Sequence, residues 1–196
     1  PTRRSSDLID KLAWLPQVCE RLTTFAKQIP DGVDFILGNH EYHHDVNKVL
    51  DELKHNTPMN ILVNSNIQIM GGKQPVYIAG VAYDNDREKE KREAMIDKAL
   101  SGIPDYAFVI LLAHHPEFFE ESIERKIPLT LSGHTHGGQI VFMGMPLVPT
   151  GTPYTKGRYV EEQSVCYVNN GTGHWFPIRI NCPREITVIT FFDGVA

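Results

Sequence analysis

The chain has 196 residues, 41% hydrophobic and 22% charged, so one packed domain is expected and disorder is excluded. Its net charge of −5 excludes a general nucleic-acid or anionic-membrane binder outside a local patch. No apolar run approaches the ~20 residues of a membrane-spanning helix, and Cys19, Cys166 and Cys182 are too scattered for a disulfide framework or a metal clasp.

Short β-branched runs alternate with amphipathic stretches, which reads as α/β. A helix is expected to begin near Leu15 and Pro16, with Val18, Leu22, Phe25 and Ala26 on its apolar face. Residues 33–37 read as a strand ended by Gly38, and residues 45–53 as a second helix. Strands follow at 61–63, 67–70 and 76–81. Residues 86–100 read as a helix whose charged first half is a solvated face laced with i,i+4 pairs. Residues 106–113 are almost all apolar, as in a strand buried on both faces. A short helix at 116–123, a buried strand at 129–131, and strands at 139–142, 165–168 and 186–192 complete the pattern. Between them, residues 143–156 are dense in Gly and Pro and read as an irregular surface loop.

In three places an apolar strand runs directly into polar, ligand-type residues. These are Gly38-Asn39-His40-Glu41, Ala113-His114-His115-Pro116 and Ser132-Gly133-His134-Thr135-His136-Gly137-Gly138-Gln139. Strand carboxyl ends form the ligand crevice of open α/β sheets, so the three tips can converge. In an extended chain, His134 and His136 share one side. Imidazole, carboxylate and amide oxygen together suit Zn, Mn or Fe better than Mg or Ca. A single histidine here would read as a hydrogen-bonded loop residue; three such tips in one chain favour a metal site.

On these motifs the sequence resembles the calcineurin-like metallophosphoesterase family, and within it a bacterial phosphodiesterase branch. The resemblance runs from about Ser6 to the C-terminus and includes Tyr167-Val168-Asn169-Asn170-Gly171 and Cys182-Pro183-Arg184-Glu185-Ile186. It implies a four-layer α/β/β/α sandwich and hydrolysis of phosphodiesters or monoesters by a water activated between two divalent transition metals (Mn, Zn or Fe). It also implies the roles of individual residues. Asp7-Leu8-Ile9-Asp10 matches the family's Gly-Asp-x-x-Asp, with Ser6 where glycine is expected. Asp7 would bridge the metals; Asn39, His114 and His134 would complete one site, and His136 would serve the other. His40 would stabilise the phosphoryl oxygens and protonate the leaving group, oriented by Asp10. Read without the family, Asp7 and Asp10 equally suit a helix-entry cap.

The family's first metal motif, Asp-x-His, does not occur upstream of Asp7. The chain is therefore expected to be one metallophosphoesterase domain lacking its N-terminal strand and helix, with one metal bound and catalysis impaired as the alternative function. An exposed sheet edge would then invite self-association. The compartment stays open, because a leader or anchor would lie in the missing part. Ser132 lacks the Gly-x-Ser-x-Gly turn of a serine hydrolase. His115 suits a substrate contact or a supporting role equally, His43 and His44 read as loop residues, and His55 as surface. His174 reads as a substrate contact, and Arg179 as a phosphate fork or a surface ion pair.

Overall fold

The computed structural model describes residues 11–69, 74–82, 88–175 and 177–192. Helix α1 (Leu15–Ala26) carries Pro16 in its first turn, where a missing N–H leaves no helix bond unmade. It packs with α3 (Val46–Asn56), whose N-cap Asp45 accepts a hydrogen bond from the Lys48 N–H at 3.2 Å. Beneath them β1 (Asp34–Ile36) and β2 (Asn60–Leu62) pair in parallel. One core joins these elements: Leu15, Cys19, Phe35, Leu37, Val49, Leu53 and Met59. Phe25, expected on the apolar face of α1, is 51% exposed and borders a cleft instead; Cys19 takes the core position.

The larger sheet holds β3 (Ser65–Ile69), β4 (Val76–Gly80), β5 (Phe108–Leu112), β6 (Leu129–Ser132), β9 (Gly157–Glu161) and β10 (Ser164–Val168), in the order β3-β4-β5-β6-β10-β9. Its middle, β4 to β10, is parallel, and each edge strand is antiparallel. Helices α4 (Lys89–Leu100) and α5 (Phe118–Glu124) cover its outer face, where Ile96, Ala99, Phe118 and Ile127 pack on Ala79, Val109 and Leu111. The charges along α4 do more than the expected i,i+4 pairing. Lys89 pairs with Glu124 at 2.6 Å, Arg92 with the fully buried Glu121 at 2.7 Å and Arg125 with Asp97 at 2.7 Å, so the charges tie α4 to the α5 region.

The two sheets face each other at Gly80, where a Cβ would come within 2.8 Å of Ile36 Cγ2 and overlap Leu62. The result is a helix–sheet–sheet–helix α/β sandwich. Among the described residues, no helix is long and apolar enough to cross a membrane.

Two expectations fail locally. The 143–156 stretch contains a strand, because β7 (Val141–Phe142) and β8 (Met145–Pro146) form a hairpin. Residues 186–192 form no strand. Both edges of β10 are taken by β6 and β9, and among the described residues the tail finds no ladder partner. Ile186, Val188 and Phe192 are 79%, 87% and 86% exposed.

Candidate metal centre

Each tip is held by its own local device. After β1, the buried Glu41 carboxylate accepts the Gly38 N–H at 2.8 Å and so starts the short helix α2 (Asn39–Tyr42) with Asn39 at its head. Beyond β5 and β6 the ladder continues through Ala113 N–H to the Leu131 carbonyl (3.1 Å) and Gly133 N–H to the His114 carbonyl (3.2 Å). Those two bonds align His114 with His134.

Three donor atoms then converge. His114 Nε2 lies 2.9 Å from Asn39 Oδ1, His134 Nδ1 lies 3.2 Å from the same oxygen, and the two nitrogens are 3.2 Å apart. Tetrahedral or octahedral coordination with bonds of ~2.0–2.2 Å puts neighbouring ligand atoms about 3.0–3.5 Å apart. The triangle therefore fits one divalent transition metal in both size and donor chemistry. His115 stacks on His134 with ring centroids 3.7 Å apart and joins His114 and His134 in a cluster of donor atoms lying within 4.8 Å of one another. Its doublet with His114 is the signal in the sequence that could have placed it here.

His136 does not share a side with His134. Of residues 134–139, only Thr135 keeps a negative φ, so the chain coils instead of extending. Gly137 takes its positive φ in this coil without strain because it has no Cβ, and one would overlap Asn170 and Cys182. His136 is buried, its ring 5.2 Å from Trp175 and its Nδ1 3.3 Å from Arg179 Nη2. Arg179 is neither a phosphate fork nor a surface ion pair. It donates to the carbonyls of Gly173 (2.6 Å), Asn170 (2.8 Å) and Cys182 (3.2 Å), clamping the loop behind His136.

His40 follows Asn39 on α2 and stacks on His43 at 5.6 Å. His55 is exposed on α3, bonded to the Asp51 carbonyl, and His174 is exposed. Asp7 and Asp10 lie outside the described residues. A cleft of about 890 Å³ opens between the two sheets, walled by apolar residues such as Leu22, Phe25, Phe35 and Leu131, with His114, His134 and His136 at its border.

No family model matches the chain. An uncharacterized metallophosphoesterase of Campylobacter jejuni is 37% identical over 165 residues, covering 81% of this chain and 41% of that protein. Another from Helicobacter pylori is 34% identical over 161 residues, covering 81% and 42%. The chain belongs to the metallophosphoesterase family. The Bacillus subtilis member, the uncharacterized metallophosphoesterase YkuE, is 39% identical over 112 residues, covering 50% of this chain and 39% of that protein. The chain thus spans about two fifths of the length of these relatives. Among solved structures, the sulfate thiohydrolase SoxB of Thermus thermophilus shares the fold, with a TM-score of 0.51 at 14% identity over 84% of this chain and 32% of that one.

Proposed function

We propose that this chain carries the metal site of a phosphoester hydrolase. The observation that supports it best is the meeting of Asn39, His114 and His134 from three separate strand ends. One metal would be held by these three, with Asp7 as the anionic ligand. A bound divalent metal acidifies water and offsets charge on the phosphoryl oxygens.

The chain's own residues have distinct tasks in this reading. The neutral Asn39 oxygen leaves the metal more electrophilic than a second carboxylate would. His40 holds the proton for the departing alkoxide, and Asp10 orients its ring. His136 and a shared Asp7 serve a second metal, which needs further ligands. A second reading, of one bound metal and weak catalysis, is favoured by the turning of His136 toward Trp175 and Arg179.

The test is titration of chelator-treated protein with Mn²⁺ or Zn²⁺ while bis(p-nitrophenyl) phosphate turnover is followed. The proposal expects turnover to appear with metal and to vanish in His114→Ala and His134→Ala. Two tight equivalents with strong turnover favour the binuclear reading, and one equivalent with weak turnover favours the other. Turnover indifferent to chelator would refute both.

A further inference from the structure

Three histidines crowd the ends of β5 and β6, and their ring geometry sorts them. The His114 and His134 rings have centroids 5.0 Å apart and planes at 75°; the His115 and His134 rings have centroids 3.7 Å apart and planes at 27°. A metal ~2.1 Å from a ring nitrogen lies ~3.3 Å from that ring's centre. Two rings 5.0 Å apart then subtend about 100° at one ion, inside the ~90–110° of octahedral and tetrahedral sites. Two rings 3.7 Å apart subtend only about 70°. The lone pairs of imidazole lie in the ring plane, so in near-parallel rings they run side by side instead of converging. His115 and His134 therefore do not fit one ion together. Asn39 and His114 decide between them, because Asn39 Oδ1 and His114 Nε2 each lie 3.2 Å from His134 Nδ1.

The two stacked rings stand on unequal supports. His134 has a φ of 64° and sits in a coil with Gly133 before it and Gly137 beyond. Its ring torsion is an sp³–sp² bond with a broad energy profile, so its own backbone does little to aim Nδ1. His115 stands at the entry to α5. Its carbonyl accepts the Phe118 N–H at 3.4 Å, and the Pro116 carbonyl accepts the Phe119 N–H at 3.0 Å; both phenylalanines are buried. Pro116 also restricts the backbone of His115. Glu117 Oε2 lies 3.5 Å from His115 Nδ1, with the two side chains only 25% and 16% exposed. The His115 ring is thus held through its backbone and at its edge. Rotation of the His134 ring drives one of its edges toward this neighbour, whose centroid is 3.7 Å away.

We infer that His115 is a positioning residue of the metal site: its ring braces His134 so that Nδ1 stays aimed at the ion, and it is not itself a ligand. The inference rests on the reading of Asn39, His114 and His134 as metal ligands.

The test is Zn²⁺ affinity of chelator-treated protein, measured by competition with a chromophoric chelator, together with the visible spectrum of the Co²⁺-loaded protein. His115→Ala is expected to weaken Zn²⁺ binding ~10–100-fold, as loss of a residue that supports a ligand does, and to alter the Co²⁺ bands at saturation. His115→Phe keeps a flat ring against His134 without a donor atom, so it restores wild-type affinity and the wild-type Co²⁺ spectrum. Melting temperatures of the metal-free variants separate this from a merely structural role, which would lower them and leave the affinity and the Co²⁺ bands unchanged. Wild-type affinity and spectrum in His115→Ala would overturn the inference. So would a His115→Phe variant as weak as His115→Ala whose Co²⁺ spectrum shows one imidazole fewer than wild type, since His115 would then be a ligand. A wild-type protein that binds neither ion would overturn the metal reading itself and this inference with it, whereas tight binding by wild type and His115→Ala alike would remove this inference alone.

Discussion

Replacing His134 by alanine removes most of the thermal stabilisation that Mn²⁺ or Zn²⁺ confers on this protein. A metal bound only by the folded state at a free concentration of 100 Kd stabilises it by ~2.7 kcal/mol. For a domain of this size, 1 kcal/mol moves the melting temperature by ~2–4 °C, so saturation raises it by about 5–11 °C. His134 is one corner of a triangle with edges of 2.9, 3.2 and 3.2 Å. Removing it leaves a neutral amide oxygen and one imidazole at that triangle. Loss of a residue that merely supports a ligand weakens metal binding ~10–100-fold, so loss of a ligand itself costs at least the upper figure. At the same free metal the site is then about half filled, the gain falls to ~0.4 kcal/mol, and the shift shrinks to about 1 °C. Without metal the substitution has a small effect, because the ring is only half-buried and its stacking on His115 is worth ~0.5–1.5 kcal/mol. The assay is scanning calorimetry of chelator-treated wild type, His134→Ala and His55→Ala across a metal titration. His55, exposed on α3, serves as control and keeps the full shift. An equal shift in wild type and His134→Ala would refute the assignment of the triangle as the metal site.

Gly80→Val drives a side chain into Leu62 and Ile36 and costs ~1–3 kcal/mol, visible as a lower urea midpoint. Arg92→Met removes the guanidinium that faces the fully buried Glu121 and costs ~3–5 kcal/mol; the double variant Arg92→Met/Glu121→Leu recovers most of that loss in the same measurement. Burial pushes the Glu185 carboxyl up, but donation from the Thr187 and Tyr167 hydroxyls and the Asn170 N–H outweighs it and holds the group below its ordinary value. A lowered native pKa means that the unfolded chain binds the proton first. The stabilisation is therefore complete above pH ~4.3 and is lost as pH falls through the lower native value. Glu185→Gln flattens this acid limb in urea midpoints measured against pH, and an unchanged limb would show that Glu185 does not contribute to it.

Much of the scaffold was legible locally. Pro16 at a helix start, Asp45 as an N-cap and the uninterrupted apolar run of β5 act on residues a few positions away, so propensity and pattern suffice to place α1, α3 and β5 within a few residues. The three ligand-bearing tips could be named for the same reason. Their meeting could not be derived from local pattern, because Asn39 stands 75 residues from His114 and 95 from His134, and only the packing of both sheets sets those distances. The same holds where expectation failed. The coil of residues 134–139 separates His134 from His136 because Asn170, Cys182 and Pro146 close on Gly137 and Gly138. Arg179 is taken up by carbonyls that the 170–173 loop presents to it. Residues 186–192 have strand-like alternation, yet a strand exists only where another offers its edge, and β10 has none left to give.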